Sequence, residues 1–65
     1  MVITISNYSG RECFVECTQG GKKAEEYRTR FGSGQVSKGN LFSAMEEIAD
    51  FVNNELKEEC YFEVL

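Results

Sequence analysis

Residues 40–58 constrain the fold more than any other part of the chain. Set about 100° apart, as in an α-helix, Leu41, Phe42, Ala44, Met45, Ile48, Ala49, Phe51, Val52 and Leu56 fall on one side. Ser43, Glu46, Glu47, Asp50, Asn53, Asn54, Lys57 and Glu58 fall on the other, and only Glu55 crosses the line. An apolar stripe this wide needs a broad partner surface, and the remaining segments read as strands. The pattern predicts one amphipathic helix lying on a small sheet. Asn40 suits the N-cap, since its side-chain oxygen can accept from the free N–H groups of the first turn. A capping box at Ser43 and Glu46 is the weaker alternative, because it would leave Leu41 and Phe42 outside the helix.

The strands are read from period-two alternation. In residues 2–7, Ile3 and Ile5 point one way and Thr4 and Ser6 the other. Tyr8-Ser9-Gly10 reads as a three-residue hairpin loop with Gly10 left-handed, which sets Ile5 opposite Cys13 and Ile3 opposite Val15. In the second strand, residues 12–18, Cys13, Val15 and Cys17 share the isoleucine face, while Glu12, Phe14 and Glu16 take the other. Gln19-Gly20-Gly21 is the next turn, and residues 23–31 form a third strand. A three-residue loop there sets Tyr27 opposite Cys13 and Arg28 opposite Glu12. A two-residue loop would bring the Arg28 charge to the core face, at several kcal/mol. Residues 32–39 read as a flexible connection, and residues 60–65 as a last strand with Cys60, Phe62 and Val64 on one face and Tyr61, Glu63 and Leu65 on the other.

The expected fold is therefore α+β: a four-stranded mixed sheet in the order β-β-β-α-β along the chain and 3-2-1-4 in space, with one amphipathic helix packed on one face. The last strand lies parallel to the first, with the right-handed connection this order permits. Placing it beside the third strand is the alternative.

At 65 residues the chain reads as one small domain, residues 1–65, of a size whose core rarely supplies more than about 3–5 kcal/mol of net stability. A ligand cavity of about 300–1,000 Å³ would consume much of that core, so function by surface contact is expected. No segment approaches the ~20 apolar residues of a membrane span. The opening Met-Val-Ile-Thr-Ile-Ser lacks a basic region and a cleavage site, so no membrane association and a cytoplasmic location are expected. Histidine is absent, which removes imidazole metal sites and Ser-His or Cys-His pairs. Cys13 and Cys17 on one strand stand about 13 Å apart at ~3.3 Å per residue. They can neither bridge nor converge on zinc, so all three cysteines read as core residues. Gly32-Ser33-Gly34 lacks the lysine and spacing of a phosphate loop. The expectation is a non-enzymatic protein, with no cofactor and no metal.

The net charge is −4. Residues 40–59 hold six acids and one lysine, net −5, and the rest of the chain is +1. The outer helix face reads first as a solvated surface and second as a docking surface for a basic partner. The sheet face away from the helix, with Thr4, Ser6, Glu12, Phe14, Glu16, Glu26, Arg28, Arg30, Tyr61 and Glu63, should stay open. Aromatic and arginine side chains are common interface anchors. Phe14, Arg28, Arg30 and Tyr61 are thus the candidate partner-binding residues, weighed against incidental aromatics among cross-strand Glu–Arg pairs. The expected function is a protein-interaction module, a regulator, inhibitor or adaptor, whose partner is another protein. A homodimer through a free sheet edge is a further reading. The alternative is nucleic-acid binding through arginines on the sheet, which the interleaved glutamates and the net charge oppose.

Overall fold

In the computed structural model, which describes residues 1–65, the alternating apolar start of the chain becomes β1 (Val2–Ser6) and β2 (Glu12–Glu16). Ile3, Ile5, Cys13 and Val15 are buried on one face of this pair. The parity is as expected, but the pairing is shifted by two residues, with Ile5 opposite Val15 and Ser6 opposite Phe14. The shift follows from the turn. Asn7, not Gly10, takes the left-handed conformation (φ 57°), and the Gly10 N–H donates to the Asn7 carbonyl at 2.9 Å. Asparagine tolerates that region. Its side-chain amide then donates to the Glu12 carbonyl at 2.9 Å. A Cβ at Gly10 would stand 2.5 Å from Asn7 Nδ2, so a larger residue there would push the Asn7 amide off the Glu12 carbonyl.

Residues 23–31 are not a strand. They belong to a helix, α1 (Lys22–Phe31). The segment is rich in Lys, Ala, Glu and Arg, which favour helix. Ala24, Tyr27 and Phe31 follow helical spacing, and the first two are fully buried with Phe31 packed against the core. The strand reading would have put Glu25 and Thr29 on the Tyr27 face. Glu25 lies in the first turn and Arg28 and Arg30 in the last, each matching the helix dipole. Gly32 ends the helix at φ 71°, its N–H donating to the Arg28 carbonyl at 2.8 Å.

The third strand is β3 (Gly34–Ser37), inside the segment read as a flexible connection. It pairs antiparallel with β2, Cys13 opposite Val36 and Val15 opposite Gly34. A 3₁₀ turn (Lys38–Asn40) leads into α2 (Leu41–Asp50), and the helix continues as a π-helical stretch, Phe51–Glu55. Asn40 holds the N-cap position but makes no side-chain capping bond. Leu41, Ile48, Val52 and Leu56 are buried as expected, whereas Phe42 is 68% exposed and leaves the core. The helical stretch stops where Lys57 turns left-handed (φ 58°). β4 (Tyr61–Val64) then pairs parallel with β1, Ile3 opposite Phe62.

The sheet order is β3-β2-β1-β4, mixed, with two helices rather than one. The eleven buried residues form one cluster drawn from β1, β2 and the end of β2, α1 and the α2 segment. Tyr27 stacks on Phe31 (5.2 Å between ring centres), and Phe31 meets Phe51 edge-on at 5.4 Å. That aromatic line joins α1 to the π-helical turn.

Leu41→Ala should cost about 2–5 kcal/mol, the range for emptying a buried leucine site. Phe42→Ala, one residue along, should stay within about 0.5 kcal/mol, as exposed substitutions do. Urea denaturation of both variants measures the contrast.

Candidate functional site

The face of the sheet opposite the helices has no covering element. Reading across from β3, one row is Gln35, Phe14 and Ser6, and the next is Glu16, Thr4 and Glu63. Glu12 and Ser37 pair at one end and Val2 and Tyr61 at the other. Phe14 is half-buried by its neighbours in the middle of this surface, and Tyr61 is 56% exposed on the edge strand. The small polar residues are already engaged. The Thr4 hydroxyl donates to the Glu16 carbonyl at 3.1 Å, and the Ser6 hydroxyl to the Phe14 carbonyl at 3.5 Å. Beside the neutral Gln35 and Ser37, what remains free is aromatic and anionic: Phe14 and Tyr61 with Glu12, Glu16 and Glu63. No cation projects from β1, β2, β3 or β4 onto this face. The Tyr61 hydroxyl donates to the Glu59 carboxylate, which raises the Tyr61 pKa above its usual value.

The structure brings Phe14 and Tyr61 onto the expected face and removes the two arginines from it. Arg28 and Arg30 lie on α1, as does Glu26. Arg28 opposes no Glu12; that residue pairs with Ser37. Its Nη1 instead donates to the Cys17 carbonyl at 2.9 Å and the Gln19 carbonyl at 2.8 Å, tying the connection after β2 to the helix. Hydrogen bonds from a charged donor contribute about 1.5–3 kcal/mol when shielded. Arg28 is therefore a structural tether. Arg30 is exposed, with its guanidinium carbon 4.8 Å from the Phe31 ring centre.

The remaining chemistry is spare. Cys13 and Cys17 are free thiols buried in the core, and Cys60 is half-buried beside it. No cluster of three or more Cys, Asp or Glu has the geometry to hold a metal ion. No helix is long and apolar enough to cross a membrane. Burial raises the Cys60 pKa; the nearby amino terminus works against it and Cys17 adds to it. Burial, then the neighbouring Cys17 and Cys60 thiols, push the Tyr27 hydroxyl up to about 12.

Three depressions flank the helices, one of them at the start of α1 between Gln19, Lys22, Lys23 and Glu58. A broad, open groove between α1 and the π-helical turn carries mixed charge, including Glu25, Glu26, Arg30 and Glu55. A smaller crevice of about 150 Å³ lies between β3, the end of α1 and α2. Residues 32–39, read as a loop, gave no sign of it. The one hint is Gly34, which the structure places opposite Val15, where an alternating strand would carry a core side chain. Sequence reasoning also left Phe42 inside. With Tyr8, Val64 and Leu65 it is one of four exposed apolar residues at the end of the fold where β1 and β4 finish. Lys38 caps the Tyr8 ring there, its Nζ 3.9 Å from the ring centre.

Comparison with protein-family models, with curated proteins and with solved structures finds no match to this chain.

The Tyr27 shift fixes a pH response. A phenol whose pKa is higher folded (about 12) than unfolded (10.0) favours the fold while it is neutral in both states. Stability is then full below pH 10 and falls as pH rises toward 12, at ~1.4 kcal/mol per unit, about 2–3 kcal/mol in all. Chemical denaturation across pH 9–12 should show this fall on top of the loss from Cys60, whose pKa is also raised, and Tyr27→Phe should remove the Tyr27 share while leaving that of Cys60.

Proposed function

We propose that this protein is a non-enzymatic cytoplasmic protein-interaction module that binds a cationic surface of another protein through its open sheet face. The observation that carries the reading is the composition of that face: Phe14 and Tyr61 set among Glu12, Glu16 and Glu63, with no cation projecting from its strands. Aromatic anchors supply contact area at low entropic cost, and surrounding carboxylates select partners of opposite charge and speed the encounter. The net charge of −4 acts in the same direction at longer range. The outer face of α2, with Glu46, Glu47 and Asp50, has acids but no aromatic residue beyond the overhanging Phe42, so the sheet is the better anchor. Binding nucleic acid through the sheet would need the arginines that the fold moved to α1.

The test is affinity capture from native lysate followed by measured affinity for the partner retained. Phe14→Ala and Tyr61→Ala should each weaken binding by at least tenfold, about 1.4 kcal/mol. Glu16→Lys should slow association and reduce its salt dependence, while Glu46→Lys on α2 should leave both near the parent values. A partner held equally by the parent and by all the sheet-face variants would overturn the assignment.

A further inference from the structure

The crevice beside β3 has a specific cause. Val15 and Gly34 are paired residues on the core face, and glycine contributes nothing to fill the space over its own strand. A Cβ built on Gly34 would meet no atom within 4 Å, and its φ is not in the left-handed region. Glycine is therefore required there neither by the backbone nor by a close approach. An ordinary strand residue would fit and would complete the core. The gap it leaves is floored by Val15 and Tyr27 and walled by Phe31, Val36 and Ile48.

Three further features describe what would fill it. The volume, about 150 Å³, is below the ~300–1,000 Å³ of ordinary ligand pockets and suits one long side chain, not a cofactor. Glu47 on α2 is exposed and is the only charged residue of the lining; it joins neither of the two ion pairs in the protein. Arg30 lies over the Phe31 ring but belongs to the separate groove along α1. β3 is an edge strand, and its only backbone partner strand is β2.

We infer that the β3 edge and this crevice form a second binding site, distinct from the open sheet face, for an extended peptide segment with a lysine anchor. The segment adds as a fifth strand beside Gly34–Ser37. Its alternate side chains then point to the same side as Gly34 and Val36. One lysine lays its aliphatic stem on Val15, Phe31 and Ile48 and brings its ammonium to the Glu47 carboxylate. A second copy of this chain is a poor occupant: its own edge strands, Gly34–Ser37 and Tyr61–Val64, contain no lysine or arginine.

The probe is a capped heptapeptide, Thr-Val-Thr-Lys-Thr-Val-Thr, titrated into the isotopically labelled protein and followed by amide NMR, beside versions with central norleucine or glutamate. The lysine peptide should give saturable shifts at Gly34–Ser37 and along α2 near Glu47, and bind at least tenfold tighter than the glutamate peptide. Glu47→Gln should erase a preference of about fivefold for lysine over norleucine without changing the denaturation midpoint. Gly34→Val should raise that midpoint and weaken the lysine peptide at least tenfold, because valine suits a strand and fills the space. Equal binding of all three peptides, shifts confined to the open sheet face or β4, unaltered binding to Gly34→Val, or concentration-dependent pairing of the protein through β3 without peptide would each overturn the proposal. Phe14→Ala should bind the lysine peptide as the parent does, so this result stands apart from the fate of the sheet-face reading.

Discussion

Ile3, Ile5, Cys13 and Val15 all project from one side of the sheet and must be kept from water. Four strands at about 4.8 Å spacing make a surface roughly 14 Å across between the outer strand axes, whereas one helix with its side chains is about 10 Å wide. A single helix cannot seal such a surface. The second, α1, closes the gap by placing Ala24 and Tyr27 beside Leu41 and Ile48 of α2 and Val52 of the π-helical stretch over the same strands. The Tyr27–Phe31–Phe51 line holds the two helical segments together, and Arg28 fastens the chain that enters α1. With both helices on one side, the other side is left uncovered.

Much of this was legible in the residues. Strict alternation in β1, β2 and β4 fixes which side chains share a face, and the long stripe from Leu41 to Leu56 marks the main helix. The α+β class follows from those elements; the 3-2-1-4 order also holds, but the strand in its third place is Gly34–Ser37 and not residues 23–31, which are α1. The two-residue register shift between β1 and β2 left no trace in the pattern, because a shift of two preserves every facing. The α1 segment was harder. Only three apolar residues, at 24, 27 and 31, mark its buried side, so the stripe is thin and the segment also admits an alternating reading. β3 has four residues with Val36 as the sole large apolar one, too little for any periodicity to register. Phe42 sits at one margin of an apolar arc about 180° wide, and the first turn of α2 carries that margin past the sheet.

The misplaced arginines change the chemistry of the candidate site more than its location. Phe14 and Tyr61 stay where alternation put them, but a face read as mixed in charge is purely anionic. Arg28 illustrates why. Its charge had to be kept off the core, and the fold does so with a helix that lets the guanidinium reach the carbonyls of Cys17 and Gln19. Gly34 is the converse case. A glycine in a linker is unremarkable in sequence, yet on the core face of an edge strand it leaves a cavity that a larger residue would have filled. Both the open face and the β3 crevice present carboxylates, and for that reason both proposed partners are cationic.

Thiol reactivity measures the sidedness of the sheet most directly. In a Cys60→Ser background, the thiol introduced by Phe14→Cys should react with a small disulfide reagent within a few tens-fold of the rate of an unfolded peptide. Cys13 and Cys17, adjoining it on the opposite side, should react only as fast as the whole protein unfolds. Rapid modification of Cys13 alongside a protected thiol at position 14 would contradict the placement of both helices, and with it the surface through which the protein is proposed to act.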